Sequence, residues 1–287
     1  MYIFDANMDE ESFRRHFKTK KACEQFLYKA KWPDGFSCPR CKHNLSYDIR
    51  SRNIPLYECR KCRHQTSLIS GTVMEGSRTA LYKWLFAFFL VSRVDRGTNA
   101  IQLSSLISVT YKTAWSMLHK IRHALTQADN KQPLTGIIQG GSARYRSLYN
   151  SSLNLLPEQS PVFVAASLNA DHKPWQLKIK TISSHHINGP RILQRGINEF
   201  IDRHISTNES DDSDSIVQPK HIRIACTGSL RKYIQKARTW INRTFNGIGF
   251  KYLQSYLDEF CFRLNLQLQN TPIFNHLTNI CMRTSAI

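Results

Sequence analysis

Acidic residues are scarce in this chain: 21 Asp and Glu stand against 40 Lys and Arg, a formal net charge of +19. No acid occurs between Ser215 and Leu257, and Glu158 is the only one between Lys131 and Ala170. Metabolic enzymes are usually nearer to neutral. A surplus of cations means affinity for polyanions, because neutralising phosphates releases condensed counterions. Long apolar runs are also missing. The longest, Trp84 to Val91, is far below the roughly 18 residues of a membrane span. The N-terminus carries Asp5, Asp9, Glu10 and Glu11, which a secretory leader does not tolerate. The expectation is a cytoplasmic, nucleoid-associated protein with nucleic acid as partner and no membrane. At 287 residues, 41% of them hydrophobic, the chain can bury a real core. That length suits about two or three domains.

A disulfide framework is not expected of eight cysteines in a reducing compartment. Four are paired as Cys38-Pro-Arg-Cys41 and Cys59-Arg-Lys-Cys62. Each C-x-x-C turn presents two thiolates on one side, and two such turns close a tetrahedron around one structural Zn2+. The stretch between them, rich in Arg, Tyr, Ile and Leu, reads as the β-hairpin of a zinc ribbon. His43 and His64 adjoin the knuckles as possible substitute ligands, but four thiolates suffice. Arg40, Arg60 and Arg63, with Lys42, Arg50, Arg52 and Lys61, suit a phosphate backbone. Cys23, Cys226, Cys261 and Cys281 stand singly and read as small packed hydrophobes.

The spacing of Phe13, Phe17, Cys23, Phe26 and Leu27 predicts one amphipathic helix over 11–31, stopped at Trp32-Pro33-Asp34-Gly35. A second helix over 78–94 carries Leu81, Trp84, Leu85, Phe88 and Phe89 as core. Residues 98–107 form a short helix with Leu103, Leu106 and Ile107 inward. Ser108-Val109 makes a tight turn, Thr110 is an N-cap, and 111–125 form a longer helix. Ala114, Trp115, Leu118, Ile121 and Leu125 face its core; Lys112, Thr113, Ser116, Lys120 and His123 face out. Two helices, a tight turn and a basic second face form a helix-turn-helix pattern. Lys112, Thr113 and Ser116 are the expected groove contacts, with Lys120 and Arg122 nearer the phosphates.

At whole-chain scale the sequence resembles the zinc-ribbon insertion-sequence transposases of bacteria. The resemblance rests on Trp32-Pro33-Asp34-Gly35-Phe36 before the first knuckle, Gln65-Thr66-Ser67-Leu68 with Gly71-Thr72-Val73, and Tyr111-Lys112-Thr113-Ala114-Trp115. Lys120-Ile121-Arg122 and the closing stretch Tyr256-Leu257-Asp258-Glu259-Phe260-Cys261-Phe262-Arg263-Leu264-Asn265 extend it. It implies a multidomain α+β and α/β chain: an N-terminal helix (1–35), a zinc ribbon (36–68), a helix-turn-helix region (69–130) and a degenerate RNase H-like domain (131–287). An acidic loop at 206–219 interrupts the last of these. Duplex DNA is the implied partner, and a homo-oligomer is left open.

That fold predicts a three-stranded meander at 134–145, 161–169 and 175–183, then a helix at 189–204. A fourth strand at 221–227 should run parallel to the first. Strand transfer on it needs carboxylates on strand one, on strand four and on a following helix, holding two divalent metals. This chain instead reads Gln139-Gly140-Gly141-Ser142, Cys226-Thr227-Gly228 and Leu230-Arg231-Lys232 at those positions. No catalytic residue is therefore assigned, and Zn2+ but not Mg2+ is the expected cofactor. Arg144, Arg146, Arg231 and Lys232 should leave the cleft positive. Asp258 and Glu259, which accompany the ligands in the family, read as structural. The alternative is an active metal-dependent transposase with displaced acids, drawn from Asp171, Glu199, Asp202 and Asp258.

Overall fold

Residues 9–146, 159–188, 191–206, 222–224 and 228–285 are described in the computed structural model. The chain divides into two units, Met1–Leu125 with Thr271–Ile287, and Thr126–Asn270. No helix among the described residues is long and apolar enough to cross a membrane.

In the first unit, α1 (Glu10–His16) is capped by Asp9, whose carboxylate accepts from the Ser12 N–H at 2.7 Å. α2 (Lys20–Lys31) is capped by Thr19, whose hydroxyl accepts from the Ala22 N–H. The single helix expected over 11–31 is thus two. Thr19 satisfies the orphan N–H groups of a new helix better than it would serve as an interior residue. The ribbon follows as an antiparallel sheet of β1 (Ser46–Ile49), β2 (Leu56–Cys59) and β3 (Gln65–Ser67). Lys31, at the end of α2, donates to the Ser67, Leu68 and Ser70 carbonyls and so ties the helix to the end of β3.

α3 (Leu81–Ser92) is buried along nearly its whole length. α4 (Ala100–Ile107) begins on a reciprocal cap between Asn99 and Gln102 and ends on Ser108, which takes a left-handed conformation (φ 51°, ψ 63°). α5 (Tyr111–Asn130) begins with the Thr110 hydroxyl accepting from the Thr113 N–H at 3.2 Å. The C-terminal helix (Ile273–Arg283) closes this unit. Phe274 stacks on Phe26 at 5.6 Å and meets Phe13 edge-on at 6.0 Å, and the Cys281 carbonyl accepts from the Val73 N–H. The helix Ile273–Arg283, read from sequence as part of the last domain, therefore packs in the first unit.

The second unit is built on β4 (Ile138–Arg146), β5 (Gln159–Leu168) and β6 (Pro174–Thr181), an antiparallel meander. A small hairpin of β7 (Ile187–Asn188) and β8 (Arg191–Ile192) precedes α6 (Gln194–His204). β9 (Ile222–Ile224) lies parallel to β4, with Gly140 beside Ile224, and the strand order is β6-β5-β4-β9. α7 (Gly228–Phe245) and α8 (Phe250–Leu268) follow.

Strand alternation sorts β5 onto two cores. Val162, Val164 and Ala166 pack with Leu177, Ile179 and the apolar faces of α7 and α8. Phe163 and Ala165 pack with Ile138, Ile197 and Phe200. α8 also closes the open edge of β6. Leu177 N–H donates to Asn265 Oδ1 at 2.7 Å while Asn265 Nδ2 donates to the Leu177 carbonyl. Gln254 accepts from Thr181 N–H and donates to the Ile179 carbonyl. Side-chain amides thus pair the edge groups that another strand would otherwise seek.

Candidate zinc centre and nucleic-acid interface

Both cysteine knuckles have the same backbone. Lys42 N–H donates to the Cys38 carbonyl and Arg63 N–H to the Cys59 carbonyl, while Cys38 and Cys59 N–H donate to the carbonyls of His43 and His64. Lys42 (φ 60°) and Arg63 (φ 58°) each take the left-handed conformation that turns the chain back after the second thiol. The four sulfurs lie within 4.8 Å of one another, with Cys38–Cys62 at 3.6 Å and Cys41–Cys59 at 3.5 Å. A tetrahedron of thiolates about 2.3 Å from zinc has edges of about 3.8 Å. The donor set therefore fits a structural Zn2+ held by Cys38, Cys41, Cys59 and Cys62. Burial opposes ionisation of Cys38, but the Cys41 and Arg40 N–H groups hold its thiol down at about 7. One thiolate in so tight a group is gained at its neighbours' expense, and Cys41 is pushed up to about 12 although the His43 N–H favours its thiolate. His43 and His64 close the knuckles through their backbones. Cys23, Cys261 and Cys281 are buried singly, as expected, and Cys226 lies outside the described residues.

Around this centre Arg40, Arg60 and Arg63 are all exposed. Tyr47 organises two of them: the Arg60 guanidinium lies 4.7 Å and that of Arg63 5.7 Å from its ring centre. Arg63 also pairs with Glu58 at 2.9 Å. On α5, Lys112 is exposed and Thr113 and Ser116 are half-buried, on one side of the helix. Lys120 is also half-buried, its ammonium donating to the Glu75 carbonyl at 3.1 Å. Arg122 departs from expectation. It is 4% exposed, because Leu118 one turn before it and Leu125 one turn after it are core, and so it cannot meet phosphates. Trp115, expected inward, is 38% exposed and stacks on His119, while Met117 is buried in the helix's core face. Leu106, also expected inward, is exposed.

A family model described as a transposase zinc-ribbon domain, of the IS1595 type, matches residues 18–65. The whole ribbon hairpin, both knuckles and α2 fall within that match. An uncharacterized protein in transposable element ISH50 of Halobacterium salinarum is 30% identical over 114 residues, which is 38% of this chain. The chain spans 37% of that relative's length. No solved structure matches. Both matches support an insertion-sequence transposase family.

In the second unit Asp258, Asp129 and Glu199 are engaged in structure. Asp258 is 2% exposed, and its carboxylate accepts from Lys180 and from the Thr126 hydroxyl, both at 2.8 Å. Asp129 pairs with both Lys178 and Lys180 at 2.7 Å. Burial holds the Asp258 carboxyl above its usual range. Burial also opposes ionisation of Asp129, but Lys180 and Lys178 hold it below. Glu199 pairs with His186 and Arg203, and Asp171 and Asp202 are exposed. Among the described residues the cysteines are the only group of three or more His, Cys, Asp or Glu placed to share a metal. At the first expected metal position, Gly140 packs against Phe163. A Cβ there would lie 3.0 Å from the ring. Residues 225–227 and the acidic loop 209–215 lie outside the described residues.

The buried lysines were invisible to sequence reading. In Gln176-Leu177-Lys178-Ile179-Lys180 the polar positions alternate as on a half-solvated strand, yet Lys178 is 1% and Lys180 6% exposed. On α7, Arg231, Lys232, Lys236 and Arg243 are exposed, with no acid anywhere on the helix.

Proposed function

We propose that this chain binds duplex DNA through its zinc ribbon and the α4–α5 pair, and that its second unit is an RNase H-like domain that performs no strand cleavage or transfer. The observation that carries the DNA-binding reading is the four-thiolate ribbon, matched to a transposase zinc ribbon and ringed by exposed arginines. The tight left-handed turn at Ser108 between two capped helices supports a helix-turn-helix, with Lys112, Thr113 and Ser116 toward the groove. Arg40, Arg60 and Arg63 contact phosphates, and Lys120 joins them only if it leaves the Glu75 carbonyl.

The meander β4-β5-β6 with β9 parallel to β4 supports the RNase H-like reading. Catalytic silence follows from chemistry. Hard divalent cations take oxygen ligands, and Gln139 to Ser142 offer no carboxylate. Asp258, one of the two buried acids of α8, is already paired with Lys180. Exposed Arg144, Arg231 and Lys232 then hold phosphates directly. The test is a strand-cleavage and strand-transfer assay with Mg2+ or Mn2+, beside a binding titration without them. Duplex binding that neither metal enhances beyond ionic screening, with no nicked strand, is the expected result. Metal-dependent nicking, lost on changing Asp171 or Asp258, would restore the active-transposase reading.

A further inference from the structure

The two faces of the ribbon sheet differ. Register and alternation put Tyr57, Cys59 and Thr66 on one face, where all three are buried and Tyr57 packs against Tyr28 and Trp32. The other face carries Tyr47, Ile49, Leu56, Glu58 and Gln65. Here Tyr47 is 49% exposed, Gln65 is exposed, and Ile49 and Leu56 are half-buried. Glu58, the one acid of this face, is satisfied within the sheet: its carboxylate accepts from Arg63 and Gln65, both at 2.9 Å. Asp48 belongs to the opposite face and pairs with Arg50. Arg60 lies over the Tyr47 ring at 4.7 Å and pairs with no acid among the described residues. A guanidinium lying over a ring keeps its own N–H groups for an anion.

An open aromatic and apolar surface beside an unpaired cation suits a polyanion that also shows flat apolar faces. A duplex hides those faces inside its stack, whereas an unpaired strand exposes them. Aromatic rings and arginine planes hold single strands in this way, with cations tracking the backbone. A second copy docking through the same face would set like charges against each other. We propose that this face of the ribbon binds an unpaired DNA strand. One base stacks on Tyr47 and Arg60, with Ile49 and Leu56 as the apolar floor beside it, and the flanking phosphate meets the Arg60 guanidinium. Arg63, tied to Glu58 and 5.7 Å from the same ring, holds the ring in place. Binding by base faces is tolerant of sequence, because every base has one. The site lies on the ribbon alone and does not rest on duplex recognition by α4 and α5.

The experiment uses the full zinc-loaded chain and fluorescence anisotropy with labelled probes of equal length: oligothymidylate, the same backbone with abasic sugars, and a duplex. Oligothymidylate should bind about tenfold more tightly than the abasic strand, although both carry the same charge. Tyr47→Ala should remove that advantage and leave the abasic-strand and duplex affinities nearly unchanged, while Tyr47→Phe should retain it. Zinc content and thermal midpoint check that each variant folds. Tyr47→Leu, which keeps an apolar side chain but no ring, serves if the alanine variant does not. Equal affinity for the two single strands overturns the proposal, as does a base-dependent gain that survives loss of the Tyr47 ring. A duplex affinity that falls in step with that for oligothymidylate would make Tyr47 a general DNA contact and overturn it too. Base-dependent binding by a chain that ignores duplexes would leave the site standing while the duplex-binding reading falls.

Discussion

Six described non-glycine residues take left-handed backbone where glycine would sit at ease, among them Lys42, Arg63 and Ser108. A side chain in the left-handed region costs roughly 1–2 kcal/mol, partly offset in comparison with glycine by glycine's larger loss of freedom on folding. Ser108→Gly should therefore raise stability by about 0.5–1 kcal/mol in urea unfolding. The Lys83 bond to the Ser108 carbonyl would remain, since it uses backbone. An unchanged or lowered midpoint would show that the turn gains something from the serine side chain. At the same scale, Thr113 and Ser116 should set sequence preference and Lys112 affinity. Exchanging the first two for alanine should level binding among competing sites. Lys112→Ala should weaken all of them alike and reduce the salt slope by about 1. Equal loss without altered preference from both kinds of change would remove α5 from the groove. The outer face of α5 was legible from its 3.6-residue period, but Arg122 was not. Its polarity argued outward while its position between Leu118 and Leu125 put it inward.

Among the elements, the ribbon has little apolar burial to stand on, so its folding depends on metal. Tyr57, Cys38 and Cys59 are buried in it, but β1 has no buried residue. Chelation should therefore unfold residues of the ribbon and abolish DNA binding, and Cys59→Ser should do the same. Metal analysis should give about one Zn2+ per chain. Full DNA affinity in zinc-free protein would contradict this. A different dependence governs β6 and α8. Asn265→Leu should leave the Leu177 N–H and carbonyl unpaired and cost about 1–3 kcal/mol. Its urea midpoint should fall accordingly, and an exposed edge should make the variant prone to self-association. The meander β4-β5-β6 was expected only through the family resemblance, at 134–145, 161–169 and 175–183. That α8 would serve as a substitute strand for β6 could not be read, since Gln254 and Asn265 look like ordinary surface amides.

For the molecule as a whole, the net charge of +19 sets a salt-dependent affinity for polyanions, whereas buried charge sets a pH dependence of stability. Burial, reinforced by Lys180 and Lys178, pushes the His204 imidazole down to about 4 from its ordinary 6.5. Between those values the unfolded chain takes up a proton that the folded chain refuses, so stability falls as pH drops from about 6.5 to about 4. At 1.36 kcal/mol for each pH unit the ceiling is about 3.4 kcal/mol, and solvent screening of this half-buried imidazole lowers the expected loss to about 1–2 kcal/mol. Comparing urea midpoints at pH 7 and pH 5 checks this, and His204→Gln should flatten the difference. A slope untouched by that substitution would assign the acid sensitivity elsewhere. Asp129, held low by the two lysines after burial is overcome, loses its contribution only at still lower pH.

Local spacing determined the zinc ligands and both helices of the α4–α5 pair, while the strands of the sheet were expected through the family resemblance. A C-x-x-C turn, a capping threonine or an alternating run folds by contacts within a few residues, and those are written consecutively in the chain. Tertiary structure alone decided that Lys178 and Lys180 are buried against Asp129 and Asp258, and that the helix Ile273–Arg283 packs beside α2 and α3. In each case the deciding partner lies tens to hundreds of residues away. Whether a polar side chain meets water or protein depends on what folds over it, which the residue's own neighbours in sequence do not specify.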